Sequence, residues 1–259
     1  MKIFDSHAHY DDRAFDEDRF ELIEGLKKEN VTRIINIGSS MDSSKASVEL
    51  SEKYDHIYAA VGVHPSECQD MTDEDLNSLR KMAADKKVVA IGEIGLDYYY
   101  PDPDKELQKV WFKKQLQLAR KLSLPVVIHS RDAAEDTVKI LKEEAAEKIG
   151  GVIHCYSYSA ELAKVFLNMG FYIGVGGVIT FNNGRKLRET VEMLPLDKIV
   201  IETDCPYLSP VPFRGKRNNS ANLKLVIAKL AELKGMTEEE IAERTYKNAC
   251  DLYRMNKED

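Results

Sequence analysis

Short extended runs, most of them rich in Val and Ile, alternate with helix-patterned segments along this chain, and that alternation limits the fold more than any other feature. The runs fall at 2–9, 32–38, 57–63, 88–94, 125–129, 151–155, 171–176 and 199–203. Strands that are short and apolar on both faces belong to a parallel sheet covered by helices. Seven of them lead at once into a segment with helical spacing, at 14–29, 42–53, 72–84, 104–122, 133–146, 160–169 and 185–194. In the first of these, Phe20, Ile23 and Leu26 share one face. The eighth leads into a polar loop over 204–221, then a helix near 222–233 and a last helical pair opened by Thr237. Eight such units predict an α/β protein, a (β/α)8 TIM-type barrel with an extra C-terminal helix. An open doubly wound sheet usually has fewer strands and a glycine-rich first turn, whereas the first turn here reads Asp5-Ser6-His7. With no internal repeat, low-complexity tract or linker, residues 1–259 read as a single domain.

Composition narrows the function classes. A 43% hydrophobic content is ample for a buried core. No long apolar run and no leader-like N-terminal segment is present, so the expectation is a cytoplasmic protein without membrane contact. Cys68, Cys155, Cys205 and Cys250 lack Cys-x-x-Cys spacing, which argues against a zinc knuckle or a disulfide framework. The net charge of −7 excludes an electrostatic nucleic-acid binder of the broad basic kind. A polyanionic substrate would have to be met by local cations or by metal.

Barrel enzymes carry their chemistry at the C-terminal ends of the strands. Asp5, His7 and His9 alternate along the first strand and project one way, so two imidazoles converge without a helix between them. The third strand ends in His64, the fourth in Glu93, the fifth in His129, the sixth in His154 and the eighth in Asp204. Five of the six histidines therefore sit at strand C-termini, and only His56 precedes a strand. Helix caps scattered by chance would not select His and carboxylate at one end of so many strands. Cys155 and Cys205 adjoin these residues but point to the opposite face, as packing groups.

The stretches Asp5-Ser6-His7-Ala8-His9, Gly62-Val63-His64-Pro65, Gly92-Glu93-Ile94-Gly95-Leu96-Asp97-Tyr98, Pro125 to Arg131, His154-Cys155-Tyr156-Ser157 and Glu202 to Leu208 together resemble the TatD family of metal-dependent deoxyribonucleases. The resemblance spans nearly the whole chain. It implies a (β/α)8 barrel with a divalent-metal site that hydrolyses phosphodiesters in DNA, typically from a 3′ end; with no broad basic stretch in the chain, the expected substrate is a single-stranded or frayed end. It makes His7, His9, Glu93 and Asp204 ligands of one ion, and Glu93, His129 and His154 ligands of a second, with Glu93 bridging. Two divalent ions are implied, and the donor mixture suits Zn²⁺, Mn²⁺, Co²⁺ or Mg²⁺. A metal-activated water would be the nucleophile, with Asp204 orienting or deprotonating it. His64 and Arg131 would contact the phosphate, a fork of guanidinium donors suiting its oxygens.

Two departures from the family pattern bear on substrate fit. Tyr158 stands where the family usually has Gly, and Asn218-Asn219-Ser220 stands where it commonly has Asn-Glu-Pro. The loop 213–218, with Arg214, Lys216 and Arg217, is the densest cationic stretch at the functional face and would grip the backbone. Tyr98, Tyr99 and Tyr100 could stack on an unpaired base or pack the loop against the barrel. The expected partner is DNA, with RNA left open and no obligate protein partner. A small-molecule amidohydrolase, lactonase or phosphotriesterase is the competing enzyme reading, and a non-catalytic metal-binding protein the competing class; Glu93 in place of the modified Lys common in those relatives, and the full donor set, argue against them.

Overall fold

Every extended run in the sequence forms a strand in the computed structural model, which describes residues 1–256. The strands are β1 (Ile3–Ala8), β2 (Val31–Ile37), β3 (Ile57–Val61), β4 (Val88–Asp97), β5 (Val126–Arg131), β6 (Gly151–Ile153), β7 (Phe171–Val175) and β8 (Ile199–Ile201). The helices are α1 (Arg19–Leu26), α2 (Met41–Lys53), α3 (Asp73–Met82), α4 (Lys105–Leu122), α5 (Ala134–Glu143), α6 (Ala160–Asn168), α7 (Arg185–Met193), α8 (Leu223–Lys234) and α9 (Glu238–Leu252). The strands follow one another in chain order in a single eight-stranded sheet. A parallel bridge joins Ala8, at the end of β1, to Cys205, after β8. This is the expected (β/α)8 TIM-type fold, with α9 as the extra helix.

Three local departures from the sequence pattern have physical causes. Helix α1 starts at Arg19 instead of 14, because Asp12 caps a separate 3-10 turn at Arg13–Phe15. The Arg19 guanidinium then holds the carbonyls of Tyr10, Asp11 and Asp12 outside the helix. The last helical pair is one helix, α9, opened by a capping box between Thr237 and Glu240. Strand β4 runs on to Asp97, past the expected end at 94.

The chain divides into two compact units. One holds Met1–Ile35, Cys155–Leu167 and the chain from Tyr172 onward. Here α9 covers β1: Phe4 meets Tyr246 edge-on at 5.7 Å and stacks on Tyr253 at 6.1 Å. The Tyr253 hydroxyl donates to the Ser6 carbonyl at 2.8 Å, and Ser6 Oγ donates to the Ile201 carbonyl at 3.0 Å. Burying an aromatic side chain such as Phe4 contributes about 1.5–3 kcal/mol, and the directed bonds fix the height of β1 relative to β8.

The other unit holds Asn36–His154 and Asn168–Phe171. Strands β3, β4, β5 and β6 pair in parallel within it. Gly95 opposes His129 in that register and has a φ of 148°, and a Cβ there would stand 1.9 Å from the His129 carbonyl oxygen. Only glycine permits β4 to lie that close to β5 at this level. Two buried glutamines seven residues apart on one face of α4 then set the strand ends. Gln108 accepts from the Asp97 N–H and donates to the Asp97 carbonyl, both at 2.9 Å. Gln115 makes the same paired contact to Val63, at 2.9 and 3.0 Å. These amide pairs substitute for a neighbouring strand and extend order to Asp97 and to the residue before His64.

Candidate metal centres

The first unit gathers His7, His9 and Asp204. His7 is delivered by β1, His9 follows that strand directly, and Asp204 follows β8. Asp204 is in the left-handed region with a φ of 55°, which an Asp tolerates, and its N–H donates to the His7 carbonyl at 2.9 Å. The Nε2 atoms of His7 and His9 lie 3.0 Å apart, and Asp204 Oδ1 lies 3.6 Å from the first and 3.4 Å from the second. Two imidazole nitrogens and a carboxylate oxygen aimed at one point are a donor set for a divalent cation.

Behind this cluster stands Asp5, fully buried. Its carboxylate accepts from Thr203 Oγ1 and from Ser220 Oγ, each at 2.6 Å, and from the backbone N–H groups of Thr203 and His7 at 3.0 and 3.3 Å. Burial lifts its pKa to about 6 in spite of these bonds. The network ties the turn after β8 to the backbone that carries His7. Ser220 belongs to the stretch that departs from the family pattern, and the departure thus supplies a donor to Asp5. Nearby, buried Asn218 donates to the carbonyls of Thr203 and Tyr207 at 3.0 and 2.8 Å. Buried Glu202 accepts from the Cys155 N–H at 2.5 Å beside Gly174, where a Cβ would collide with its carboxylate.

The second unit gathers Glu93, His129, His154 and His64. Glu93 Oε1 lies 2.7 Å from His154 Nε2, 2.8 Å from His129 Nδ1 and 3.7 Å from His64 Nε2. Burial opposes the charge on Glu93, but His154, His64 and His129 outweigh it and hold the carboxyl well below its ordinary pKa. The other nitrogen of His129, Nε2, meets Asp97 Oδ2 at 3.1 Å. A proton on Nε2, bonded to that carboxylate, leaves the Nδ1 lone pair facing Glu93 and available to a cation. Burial works against a charge on His129, and the bonds to Asp97 and Glu93 raise its pKa regardless.

His64 is built differently. Its Nδ1 accepts the Ser66 N–H at 3.1 Å, so the neutral ring carries its proton on Nε2. Burial, followed by repulsion from His129, pushes its pKa down to about 3. A ring neutral at ordinary pH with Nε2–H toward the cluster is a hydrogen-bond donor suited to a contact with substrate, while His64, Glu93 and His129 also lie close enough together to hold a cation.

The cationic residues differ in how far they are engaged. Arg131 is exposed, with its guanidinium 3.8 Å from the Tyr99 ring centre. Arg214 is exposed and lies 3.7 Å from the Phe181 ring centre. Arg217 forms a bidentate pair with Asp18 at 2.7 and 2.5 Å and also donates to the Ala14 carbonyl. Tyr158 packs edge-on to Tyr156 at 5.9 Å. His56 is buried against Tyr54, a packing position.

The residues with no role assigned from sequence act through others: Asp97, Gln108, Gln115, Asp5, Ser220 and Glu202. Asp97 had a signal, since it continues the alternation Glu93, Gly95, Asp97 along one face of β4.

A family model described as TatD related DNase matches residues 4–254. The chain belongs to the TatD family. It is similar to the metal-dependent hydrolase YabD of Bacillus subtilis, with 48% identity covering 98% of this chain and all of the relative. It is 37% identical to the metal-dependent hydrolase YcfH of Escherichia coli K12, covering 99% of this chain and 97% of that one. Among solved structures, the TatD homologue YjjV of Escherichia coli superimposes with a TM-score of 0.92 at 33% identity, covering 98% of both chains. This TatD protein is a metal-dependent hydrolase of TIM-barrel fold, with His, Glu and Asp clusters of the kind that hold such metal. Among the described residues no helix is long and apolar enough to cross a membrane.

Proposed function

We propose that this protein is a divalent-metal-dependent deoxyribonuclease that removes nucleotides from the 3′ ends of single-stranded or frayed DNA. The observation that carries the reading is the pairing of His129 with Glu93 on one nitrogen and Asp97 on the other, in a chain matched by a family model described as TatD related DNase. His7, His9 and Asp204 would hold one ion, and Glu93, His129 and His154 a second. Divalent ions there supply Lewis acidity toward phosphate oxygens and lower the pKa of water.

The chain's own groups complete the chemistry. Asp204 would accept the proton of the attacking water, and Glu93 Oε1 would converge with His129 Nδ1 and His154 Nε2 on the second ion. The His64 Nε2–H donates to a phosphate oxygen. Arg131 offers a guanidinium fork to phosphate, and Arg214 and Arg217 are further cations for the DNA backbone. These local cations matter because the protein carries a net charge of −7.

The test uses chelator-stripped protein re-supplied separately with Mg²⁺, Mn²⁺, Co²⁺ or Zn²⁺. Labelled single-stranded DNA with a free or a blocked 3′ end is the substrate, and Glu93→Ala runs alongside. Metal-dependent shortening from the free end, lost in the variant, is expected. No cleavage under any metal, with the ions still bound, would overturn the nuclease reading and direct the search to small esters and amides.

A further inference from the structure

We propose that Tyr99 and Tyr100, braced by Arg131, form a stacking platform for the base of the terminal nucleotide, an inference that rests on the nuclease reading above. The three consecutive tyrosines have separate fates. Tyr98 is engaged in the fold: its hydroxyl donates to Asp136 at 2.7 Å, and Lys105 Nζ covers its ring at 4.5 Å. Tyr99 and Tyr100 are 57% and 54% exposed. Their rings meet edge to face at 4.8 Å, and the Arg131 guanidinium lies 3.8 Å from the Tyr99 centre and 5.7 Å from that of Tyr100. Two aromatic rings left in water add little to the core, yet here they are held in a fixed arrangement.

The platform's position relates it to the second cluster. Asp97 pairs with Arg131 and Gly95 with His129 in the β4–β5 register. Arg131 therefore lies two residues beyond His129 on the same face of β5, a step of about 6.6 Å along the strand. The Tyr99 N–H donates to Asp97 Oδ1 at 2.9 Å, while Asp97 Oδ2 meets His129. One carboxylate thus fixes both the His129 ring and the start of the platform. A base resting on the open aromatic surface would have its phosphate near the Arg131 guanidinium, so stacking and charge act on one nucleotide. Every base has a π-face, and such a surface discriminates a nucleotide from an abasic residue much more than one base from another.

The measurement is equilibrium binding to chelator-stripped protein, read by fluorescence anisotropy. The two ligands are single-stranded oligonucleotides of one sequence that end in adenosine or in an abasic 3′ residue. Wild type is expected to prefer the base-bearing end by about tenfold or more. The double variant Tyr99→Leu/Tyr100→Leu should bind both ligands equally, at the abasic level, and Tyr99→Phe/Tyr100→Phe should keep the preference because stacking needs the ring and not the hydroxyl. Thermal melting of each variant by circular dichroism establishes that it is folded. Wild type indifferent to the terminal base, or a folded Leu double variant that keeps the preference, overturns the platform. Metal-dependent cleavage of the same oligonucleotides judges the nuclease reading separately: cleavage without base preference removes the platform alone, and no cleavage removes both.

Discussion

Asp97 reaches diagonally across the β4–β5 register to His129, with Oδ2 of the carboxylate 3.1 Å from Nε2 of the ring. The contact orients the imidazole and makes it a better electron donor at Nδ1. Asp97→Asn keeps the size and a neutral acceptor but removes the charge. Metal affinity of the stripped protein should fall by about 10–100-fold, measured by competition with a chromophoric chelator. Unchanged affinity would mean that Asp97 serves the backbone of Tyr99 alone.

Gln108 braces the end of β4 at Asp97 on the side away from β5, and its amide also donates to the Pro103 carbonyl at 2.8 Å. Gln108→Leu preserves the apolar packing of α4 but leaves the Asp97 N–H and two carbonyls unsatisfied in a buried place. A loss of about 2–3 kcal/mol is expected in denaturant unfolding. Gln115→Leu should cost a similar amount through Val63, and the effect should appear in the midpoint with little change in slope.

These two glutamines also mark where the sequence stops being legible. The eight strands, most helices and the His and carboxylate residues at strand ends follow from period, residue type and chain order, each of which is a local property. Gln108 and Gln115 sit at helical positions that a pattern reading assigns to the core or to solvent, and their partners lie 11 and 52 residues away. Asp5 reads as a carboxylate on the face of His7 and His9 until Thr203 and Ser220, some 200 residues on, are seen to donate to it. The bond of Arg217 to Asp18, across 199 residues, is equally invisible in the local pattern. What the sequence omits is side-chain pairing between elements, because nothing in a local period encodes it.

Ser220 donates to a carboxylate that burial already drives toward neutrality, and it accepts from the Tyr10 hydroxyl at 2.8 Å. Ser220→Ala removes one of the donors that keep Asp5 in place. A destabilisation of about 1–3 kcal/mol is expected by thermal or denaturant unfolding. Ser220→Pro should cost more, since the Ser220 N–H donates to the Tyr10 hydroxyl at 2.9 Å and proline has no such donor. Stability equal to wild type in both variants would show that water replaces the hydroxyl without loss.

Asp18 holds the Arg217 fork in a pair that draws its own carboxyl below the ordinary pKa, chiefly through the hydrogen bond from Arg217. The stability this pair contributes is present above the unfolded carboxylate value of 3.8 and is lost as pH falls through the lower folded value. Both partners are solvent-accessible, so that contribution is small and screened by salt. The larger consequence is competitive: a phosphate must displace Asp18 to gain the full fork of Arg217. Asp18 precedes α1 without making a capping bond from its side chain, so Asp18→Asn leaves the helix start intact and frees the guanidinium. Single-stranded DNA should then bind a few-fold more tightly at low salt. The slope of log affinity against log salt should steepen by about 0.7, the value for one added phosphate contact on a single strand. Arg217→Ala should reverse the gain in the Asp18→Asn background. A salt slope that neither change moves would place Arg217 outside the DNA-binding surface and leave it as a strut between the basic loop and the segment before α1.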